Sequence, residues 1–467
     1  MRFLRTWRRA PWCGASLAAC LCGAALINGC APTRPDPGAE LAIGGAIGAR
    51  SAIVFRTVGA PIDEPAPSPD HLSEAEAVER AVMTDPGLQA ALARVRIAMA
   101  DADQARLWPN PILEFILQWG PGKPQLEIVL AQDIISMLQI PSRSSAADHR
   151  MRAAAAEAVT VALDLVAEVQ QRYAETQSYE AAAPMLEERA SLLDKVIATT
   201  TARLEAGEGT RDDLTTLQVQ RIELDVNAAE ARRALAEARL RLARLIGEPS
   251  GEAQWSLDPW TPPAPGGASE SQWVHAALRS RPEVQSVVWT LRALGDDEAL
   301  VAFWPWDGGV AGVQIDGVED WVAGPAIATP IPIFDTGQAQ RNRVSAEQIE
   351  ARHQLTDAQR AVVEEVRIAY RSLHASLENF ERVRREWVPL QERRRQQAED
   401  TFRAGHADVT ALYLAEQDLN AAHTRAIAIG LQVALDLVAL QRAVGGPGVS
   451  PVDDPPPLEA ETAPNQR

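Results

Sequence analysis

The fold of this chain is decided by Arg203-Leu-Glu-Ala-Gly207-Glu-Gly-Thr-Arg-Asp-Asp213-Leu214 and its counterpart Thr401-Phe-Arg-Ala-Gly405-His-Ala-Asp-Val-Thr-Ala411-Leu412. Each stretch places a glycine between two long, alanine-rich segments. Glycine accepts a left-handed backbone without a steric penalty, so it commonly ends a helix. We therefore predict that each glycine closes one helix and reverses the chain into the next.

The segments after the two glycines share one spacing of apolar residues. Positions three and four apart begin at Leu214 and Leu412 and stay in step at an offset of 198 residues. Only Arg221 and Asp436 place a charge in these two series. A shared register of this length predicts two coiled-coil helical hairpins that arose by tandem duplication.

Four landmarks support the duplication, because they recur at nearly constant distances. Arg281-Pro282 follows Asp85-Pro86 by 196 residues, Trp304-Pro305 follows Trp108-Pro109 by 196, Gly405 follows Gly207 by 198, and Val444-Gly445 follows Ile246-Gly247 by 198. We therefore divide the chain into a signal peptide (1–29), a tether (30–71), repeat 1 (72–249), a Pro- and Gly-rich linker (250–269), repeat 2 (270–446) and a disordered, acidic, proline-rich tail (447–467).

Two regions rich in Ile, Leu, Val and Phe indicate β-hairpins. The first comprises residues 112–118 and 125–135 around Gly120-Pro-Gly-Lys-Pro124, and the second comprises 309–315 and 321–333. Each strand has roughly the length of a tilted membrane strand, although a soluble hairpin fits equally well. Two strands cannot span a membrane alone, because their edges would be unsatisfied.

Tryptophans and prolines mark the ends of these elements. Trp304, Trp306 and Trp321 lie near the ends of the second hairpin, where either a membrane-interface aromatic or packing under a soluble turn is expected. Ser73 followed by Glu76 predicts a capped helix start. We expect the next long helix to run from about 142 to 205, with Pro184 breaking it or changing its packing partner.

The N-terminus indicates export. Four arginines precede a mostly apolar stretch, and Leu26-Ile-Asn-Gly-Cys30 resembles a bacterial lipoprotein cleavage box. We expect Cys30 to be lipidated after cleavage, with an ordinary cleaved signal as the alternative. All four cysteines lie within the first 30 residues, so the mature chain has neither a disulfide framework nor a cysteine metal site.

Charge and motif content exclude several functions. Without its first 29 residues the chain has 41 basic and 63 acidic residues, a net charge of −22, which argues against a nucleic-acid partner. Zinc helices, phosphate-binding loops and nucleophile elbows are absent from the sequence. We therefore expect no enzyme, no metal and no cofactor.

The order of these elements resembles the outer membrane factor (TolC-type) family of efflux and export channels over about residues 72–446. The resemblance is carried by the Asp85-Pro86 and Arg281-Pro282 breaks, Trp108-Pro-Asn-Pro111, Pro332-Ile-Phe-Asp-Thr-Gly337 and the glycine tips. It implies a mainly α protein with membrane β-strands. Three chains would join four strands each into a twelve-stranded outer-membrane barrel that continues as a periplasmic α-barrel.

The resemblance also assigns roles to the tips. It implies that Gly207, Gly405, Thr210, Leu214 and Leu412 lie at the periplasmic entrance and contact an adaptor protein, which joins the channel to an inner-membrane pump. The family's entrance aspartates after the second tip match Ala411 and Leu414 here, so that ring is absent. Asp213, Asp408 and Glu416 are the remaining candidate entrance acids, and for each a solvated helix-start acid is the alternative.

We therefore predict the outer-membrane channel of a tripartite efflux system, a passive homotrimeric exit duct for cations or small toxic compounds. Short hairpin loops and the Trp-Pro-Asn-Pro stretch favour a pump of the resistance-nodulation-division type. The alternatives are a type I protein-secretion duct and a periplasmic coiled-coil lipoprotein that acts as an adaptor or scaffold.

Overall fold

The computed structural model describes residues 38–48, 53–59, 61–63, 70–120, 124–207, 210–261, 267–317, 321–404 and 409–451. The expected signal peptide, Cys30, Gly405, Asp408 and residues 452–467 lie outside these ranges. The backbone of Asp213 is described but its side chain is not.

Repeat 1 consists of two short helices, one β-hairpin and one long helical hairpin. Its elements, after an N-terminal helix α1 (Ala39–Ile47), are β1 (His71–Leu72), α2 (Glu74–Thr84), α3 (Pro86–Arg106), β2 (Ile112–Gln118), β3 (Gln125–Asp133), α4 (Ile134–Glu205) and α5 (Arg211–Leu245).

Repeat 2 follows the same plan after a two-residue strand in the linker. Its elements are β4 (Ser256–Leu257), α6 (Glu270–Ser280), α7 (Pro282–Val301), a 3₁₀ turn (Trp304–Trp306), β5 (Val310–Gly317), β6 (Trp321–Ala328), α8 (Gln338–Arg382), a π turn (Val383–Trp387), α9 (Val388–Arg403) and α10 (Val409–Val444). The predicted helical breaks at Asp85-Pro86 and Arg281-Pro282 are both confirmed.

The two matching breaks are stabilised differently. Asp85 caps α3 by accepting a 2.7 Å hydrogen bond from the Leu88 amide, as short polar side chains do at helix starts. Arg281 makes no such cap. Instead its buried guanidinium donates to the Ala443 carbonyl at 3.0 Å and to Glu365 at 2.7 Å, which ties the start of α7 to the end of α10.

The long helix α4 differs from its prediction at its first residue and at Pro184. It begins at Ile134, because Asp133 accepts a 2.8 Å hydrogen bond from the Ser136 amide and so caps a helix where Ile134 and Ile135 suggested strand. It also continues through Pro184, so the predicted break is wrong, but the predicted change of packing partner is confirmed. Its side chains up to Tyr173 lie in the core of repeat 1, and those from Leu186 pack beside Leu217 of α5. Pro184 lies on the exposed face, where the Glu180 carbonyl that lost its donor can reach solvent.

Four strands form one antiparallel sheet in the order β2-β3-β5-β6. Both predicted hairpins are confirmed, and β3 pairs with β5 to join them. Strand β6 ends at Ala328, earlier than predicted, because Pro330 and Pro332 cannot donate ladder hydrogen bonds. The strand ends that connect to the helices all lie at one end of the sheet, with Gln118, Gln125, Gly317 and Trp321 at the other.

Parts of the predicted tether and linker are folded. In the tether, α1 buries Ala39, Ile43 and Ile47 against the core, and Glu40 pairs with Arg96 at 2.7 Å. In the linker, Trp255 is almost fully buried and β4 pairs with β1. Pro and Gly content predicted extended chain here, but the apolar side chains between those residues find a surface to pack against.

The buried side chains form three clusters. One holds repeat 1 together with α1 and Trp255, and a second holds repeat 2. The third lies between the two helical hairpins, where Phe402 and Tyr413 pack against Leu193, Leu217 and their neighbours. Each repeat thus has its own core, and the hairpins contact each other near their tips.

Candidate functional site

The sheet has one apolar face, which follows from its register. Cross-strand partners point to the same side of a sheet. Leu113, Leu130, Val313 and Pro325 lie in one such row across all four strands. The rest of this face is Phe115, Leu117, Leu126, Ile128, Gln132, Ala311, Ile315, Gly317, Trp321, Ala323 and Ile327.

The apolar face is exposed in the single chain. Phe115 is 63% exposed and Ile327 is 78% exposed, and no helix of the described residues covers them. The only polar side chain on this face is Gln132, beside the helical end, which donates to the Pro109 carbonyl at 2.7 Å. A continuous apolar sheet face of this kind needs lipid or another protein to cover it.

The opposite face carries every charge of the four strands, and all of them are negative. Glu114, Glu127, Asp133 and Asp316 lie on it with Gln118, Gln125 and Gln314, and none of β2, β3, β5 and β6 contains Lys, Arg or His. Glu127 stands directly opposite Asp316 in the β3–β5 pair. Alternation of an apolar and a polar face is typical of strands in outer-membrane barrels, whose polar side lines the lumen.

The sheet has two free edges. Strands β2 and β6 are its outer members, and among the described residues of one chain each has a single partner strand. Unpaired backbone groups at an edge cannot be left in a hydrocarbon layer, where each costs several kcal/mol. The sheet is therefore incomplete as a membrane element in one chain.

Exposed tryptophans lie at the two ends of the sheet, as predicted for the second hairpin. Trp108 and Trp304 lie at its helical end, and Trp119 and Trp321 at the other. All are exposed, Trp119 at 77%. Their location is confirmed, and a role at a membrane interface remains a prediction.

The first helical tip is the turn predicted at Gly207. Its φ is +80°, a left-handed conformation that disfavours any residue with a Cβ. The Gly207 amide donates to the Leu204 carbonyl at 3.0 Å and closes α4. Thr210 directly precedes α5, and Leu214 in its first turn is half-buried.

The second tip is described up to Ala404 and again from Val409. Leu412 is half-buried, and Ala411 and Leu414 are exposed. Glu416 is 13% exposed and accepts a 2.6 Å hydrogen bond from Arg395 of the same hairpin. That bond raises the pKa of Arg395, so the charge of Glu416 is balanced locally rather than presented alone.

The two charges in the predicted apolar seams are also partnered. Arg221 donates to Asp194 on the facing helix at 2.7 Å and contacts Asp225. Asp436 accepts from Gln432 at 2.8 Å. The contact of Phe402 and Tyr413 with the helical hairpin α4–α5 was not predicted, because the heptad spacing defines each helical hairpin but not which residues join the two.

Metal-ligating clusters and membrane-spanning helices are the remaining features to consider. Among the described residues no three His, Cys, Asp or Glu side chains are grouped as a metal site. Thr410–Val444 is long and apolar enough to cross a membrane by length and composition. It packs against α8 and α4 as a hairpin helix.

Known proteins of the bacterial outer membrane resemble this chain in sequence and in fold. Residues 306–446 match the family model described as outer membrane efflux protein. Protein CyaE of Bordetella pertussis is 24% identical over 459 residues, which cover 90% of this chain and 96% of that protein.

Solved structures share the fold at low sequence identity. The outer membrane protein VceC of Vibrio cholerae superposes with a TM-score of 0.67 and 17% identity, over 80% of this chain and 96% of that one. The MtrE outer membrane channel of Neisseria gonorrhoeae, in its open state, gives 0.65 and 17% over 85% of this chain and 96% of that one.

Proposed function

We propose that this chain is a member of the outer membrane efflux protein family and that three copies of it form a passive exit duct of an efflux system in the outer membrane. The observation that carries the proposal is the sheet, with one apolar face, one acidic face and two open edges.

The apolar face supports a position in the membrane. Strands β5 and β6 have eight residues each and extend roughly 26 Å. At the tilt of about 40° found in outer-membrane barrels they would span about 20 Å, most of the apolar band of about 25 Å. A periplasmic adaptor or scaffold, which lacks membrane strands, would have no use for this exposed surface. The sheet therefore favours the channel over that alternative.

The open edges support a trimer. Strand β2 of one copy would pair with β6 of the next, and three four-stranded sheets would close a twelve-stranded barrel with no edge left. The long hairpins α4–α5 and α8–α10 would continue this barrel into the periplasm as a helical tube.

The acidic face supports cations or cationic small molecules as cargo. In a closed barrel Glu114, Glu127 and Asp316 of each copy would face the lumen with no basic strand residue to balance them. Like charges in a narrow pore raise the local concentration of cations and repel anions.

Ion selectivity tests the cargo proposal. Wild-type trimers in a planar bilayer under a KCl gradient should give a cation-selective reversal potential, and Glu127→Gln with Asp316→Asn should move it toward zero. Glu364→Gln with Glu392→Gln removes the same charge from exposed helical positions and serves as the control. Equal shifts in the two double variants would refute the assignment to the strands.

We further propose that the helical tips meet a periplasmic adaptor, with Gly207, Thr210, Leu214, Gly405 and Leu412 as contact residues. The adaptor would join the tube to an inner-membrane pump, of the resistance-nodulation-division type, that supplies the energy. Asp213 and Asp408 remain candidate entrance acids, whereas the pairing of Glu416 with Arg395 makes it the weakest of the three.

Lipidation of Cys30 is the remaining proposal. It rests on the Leu26-Ile-Asn-Gly-Cys30 box of the sequence. Growth with an alkyne-labelled fatty acid should label the wild-type protein and leave Cys30→Ser unlabelled. Label on Cys30→Ser, or none on the wild type, would reject this anchor.

A further inference from the structure

A second kind of site lies away from both the sheet and the tips. An apolar cavity of about 270 Å³, open on one side, is lined by α4, α8, the π turn, α9, α10 and the linker. Trp260 of the linker and Phe380 of α8 form two of its walls, with ring centroids 5.2 Å apart and planes at 79°. Since a 150 Å³ apolar cavity already holds a benzene molecule, this one can hold a larger aromatic body.

A helical glycine gives the cavity its shape. Gly430 lies within α10, although glycine is among the poorest helix formers. A Cβ at this position would lie 3.3 Å from Cη2 of Trp260, so the glycine allows the indole to pack close. The matching position in repeat 1 holds Arg232, whose exposed side chain extends to Glu187 at 3.4 Å, so the duplication did not copy this wall.

The cavity wall carries a positive charge, although the protein as a whole is negative. Arg384 and His423 are its ionisable lining residues, and no carboxylate is among the described residues that line it. Glu381 lies nearby, but it bridges both Arg384 at 3.0 Å and Arg385 at 2.5 Å, which leaves one positive charge in excess. On a chain with a net charge of −18, a wall with this charge is complementary to an anion.

The arginine sits on an irregular piece of helix. Of the described residues, only Val383–Trp387 form a π turn, and Arg384 belongs to it. Single π turns inside α-helices occur frequently at functional sites, because they place one extra residue in the turn and redirect its side chains. The turn brings Arg384 to the rim of the apolar cavity.

We propose that this cavity binds a small aromatic monocarboxylate. The ring would occupy the space beside Trp260, Phe380 and Gly430, and the carboxylate would accept hydrogen bonds from Arg384 at the rim. The bound molecule contacts both repeats and the linker, so it stabilises the folded chain by mass action. This site does not depend on the proposed channel function.

The test is calorimetric titration of the full-length protein in lipid nanodiscs, with empty nanodiscs subtracted. The probes are 1-naphthoate and its neutral analogue 1-naphthamide. The wild type should bind naphthoate at least tenfold more tightly than the amide. Binding of the two probes with equal affinity, or no binding of naphthoate, would overturn the proposal.

Two pairs of variants locate the site. Arg384→Gln should weaken naphthoate at least tenfold and leave the amide unchanged, whereas Arg393→Gln, at an exposed arginine outside the cavity, should change naphthoate less than twofold. Ala426→Leu should fill the cavity and weaken both probes, whereas exposed Ala428→Leu on the same helix should not.

A folding defect is separated from a lost site by the charge-preserving variant. Arg384→Lys should recover most of the naphthoate affinity that Arg384→Gln loses. Circular dichroism should give all variants the wild-type helix content. Naphthoate binding that is unchanged in both Arg384→Gln and Ala426→Leu would place any bound probe elsewhere and refute the site.

Discussion

At the scale of single residues, the duplicated helix breaks show how one position can be stabilised in two ways. Asp85 caps a helix, and Arg281 at the matching position enters an ionic network with Glu283, Glu365 and Arg442. Burial opposes ionisation of Glu283, but Arg442 and Arg281 outweigh it and hold the pKa of Glu283 below its usual value.

This shift predicts a pH-dependent contribution to stability. A lowered folded-state pKa stabilises the fold above the ordinary value near 4.5 and loses that effect as pH falls through the lowered value. Glu283→Gln should therefore lower the melting temperature at pH 7, with the difference from wild type shrinking below about pH 4.5. Exposed Glu392→Gln is the control, and a pH-independent difference would contradict the ionic role of Glu283.

The tip glycine gives a second prediction at this scale. Gly207→Val forces a β-branched residue into φ +80°, at a cost of about 1–3 kcal/mol confined to the turn. We expect trimers to assemble normally while efflux of a cationic dye from cells is lost. Gly295→Val, at a helical glycine without positive φ, should retain efflux. Normal efflux in Gly207→Val would rule out the tip as an essential contact.

At the scale of elements, the two different faces of the sheet are the strongest indication of function. Val313 and Gln314 are neighbours on β5 that point to opposite faces, one apolar and one acidic. The same substitution at these two neighbouring positions should therefore have opposite effects. In a sheet with two equivalent faces, the two effects would be the same.

Arginine at these two positions tests the orientation of the sheet. Val313→Arg places a charge toward lipid near the middle of the strand, at a cost of about 2–4 kcal/mol, and should sharply reduce the yield of membrane trimer. Gln314→Arg faces the proposed lumen and should assemble normally. The measurement is the trimer band of outer-membrane fractions in unheated gels. Equal yields would contradict the two-faced assignment.

Much at the element scale was predictable from the sequence, and the misses have physical causes. Turn residues and β-rich runs located both hairpins, and glycine located the first tip. The start of α4 was missed because Ile134 and Ile135 are equally good strand residues, and only the Asp133 cap decides between the two. The predicted break at Pro184 was wrong because the sequence does not show that Pro184 lies on an exposed face, although the alternative, a change of packing partner, is confirmed.

At the scale of the whole molecule, the two repeats share one order of elements, and they differ at the residues that form the cavity and the contact between the helical hairpins. The heptad register predicted two helical hairpins, yet the contact of Phe402 and Tyr413 with the hairpin α4–α5 depends on how the two helical hairpins are placed. The cavity beside Trp260 likewise joins the linker to residues from both repeats. Such sites arise from tertiary packing and leave no local pattern in the sequence.

The central claim is that three copies close one barrel through the free edges of β2 and β6. Electron cryomicroscopy of the full-length protein, extracted from outer membranes into nanodiscs, tests it most directly. We predict a three-fold tube with a twelve-stranded barrel in the lipid, β2 of each copy paired with β6 of the next, and Phe115 facing lipid. A monomer that is soluble without lipid, or a particle whose sheet edges stay unpaired, would contradict the account.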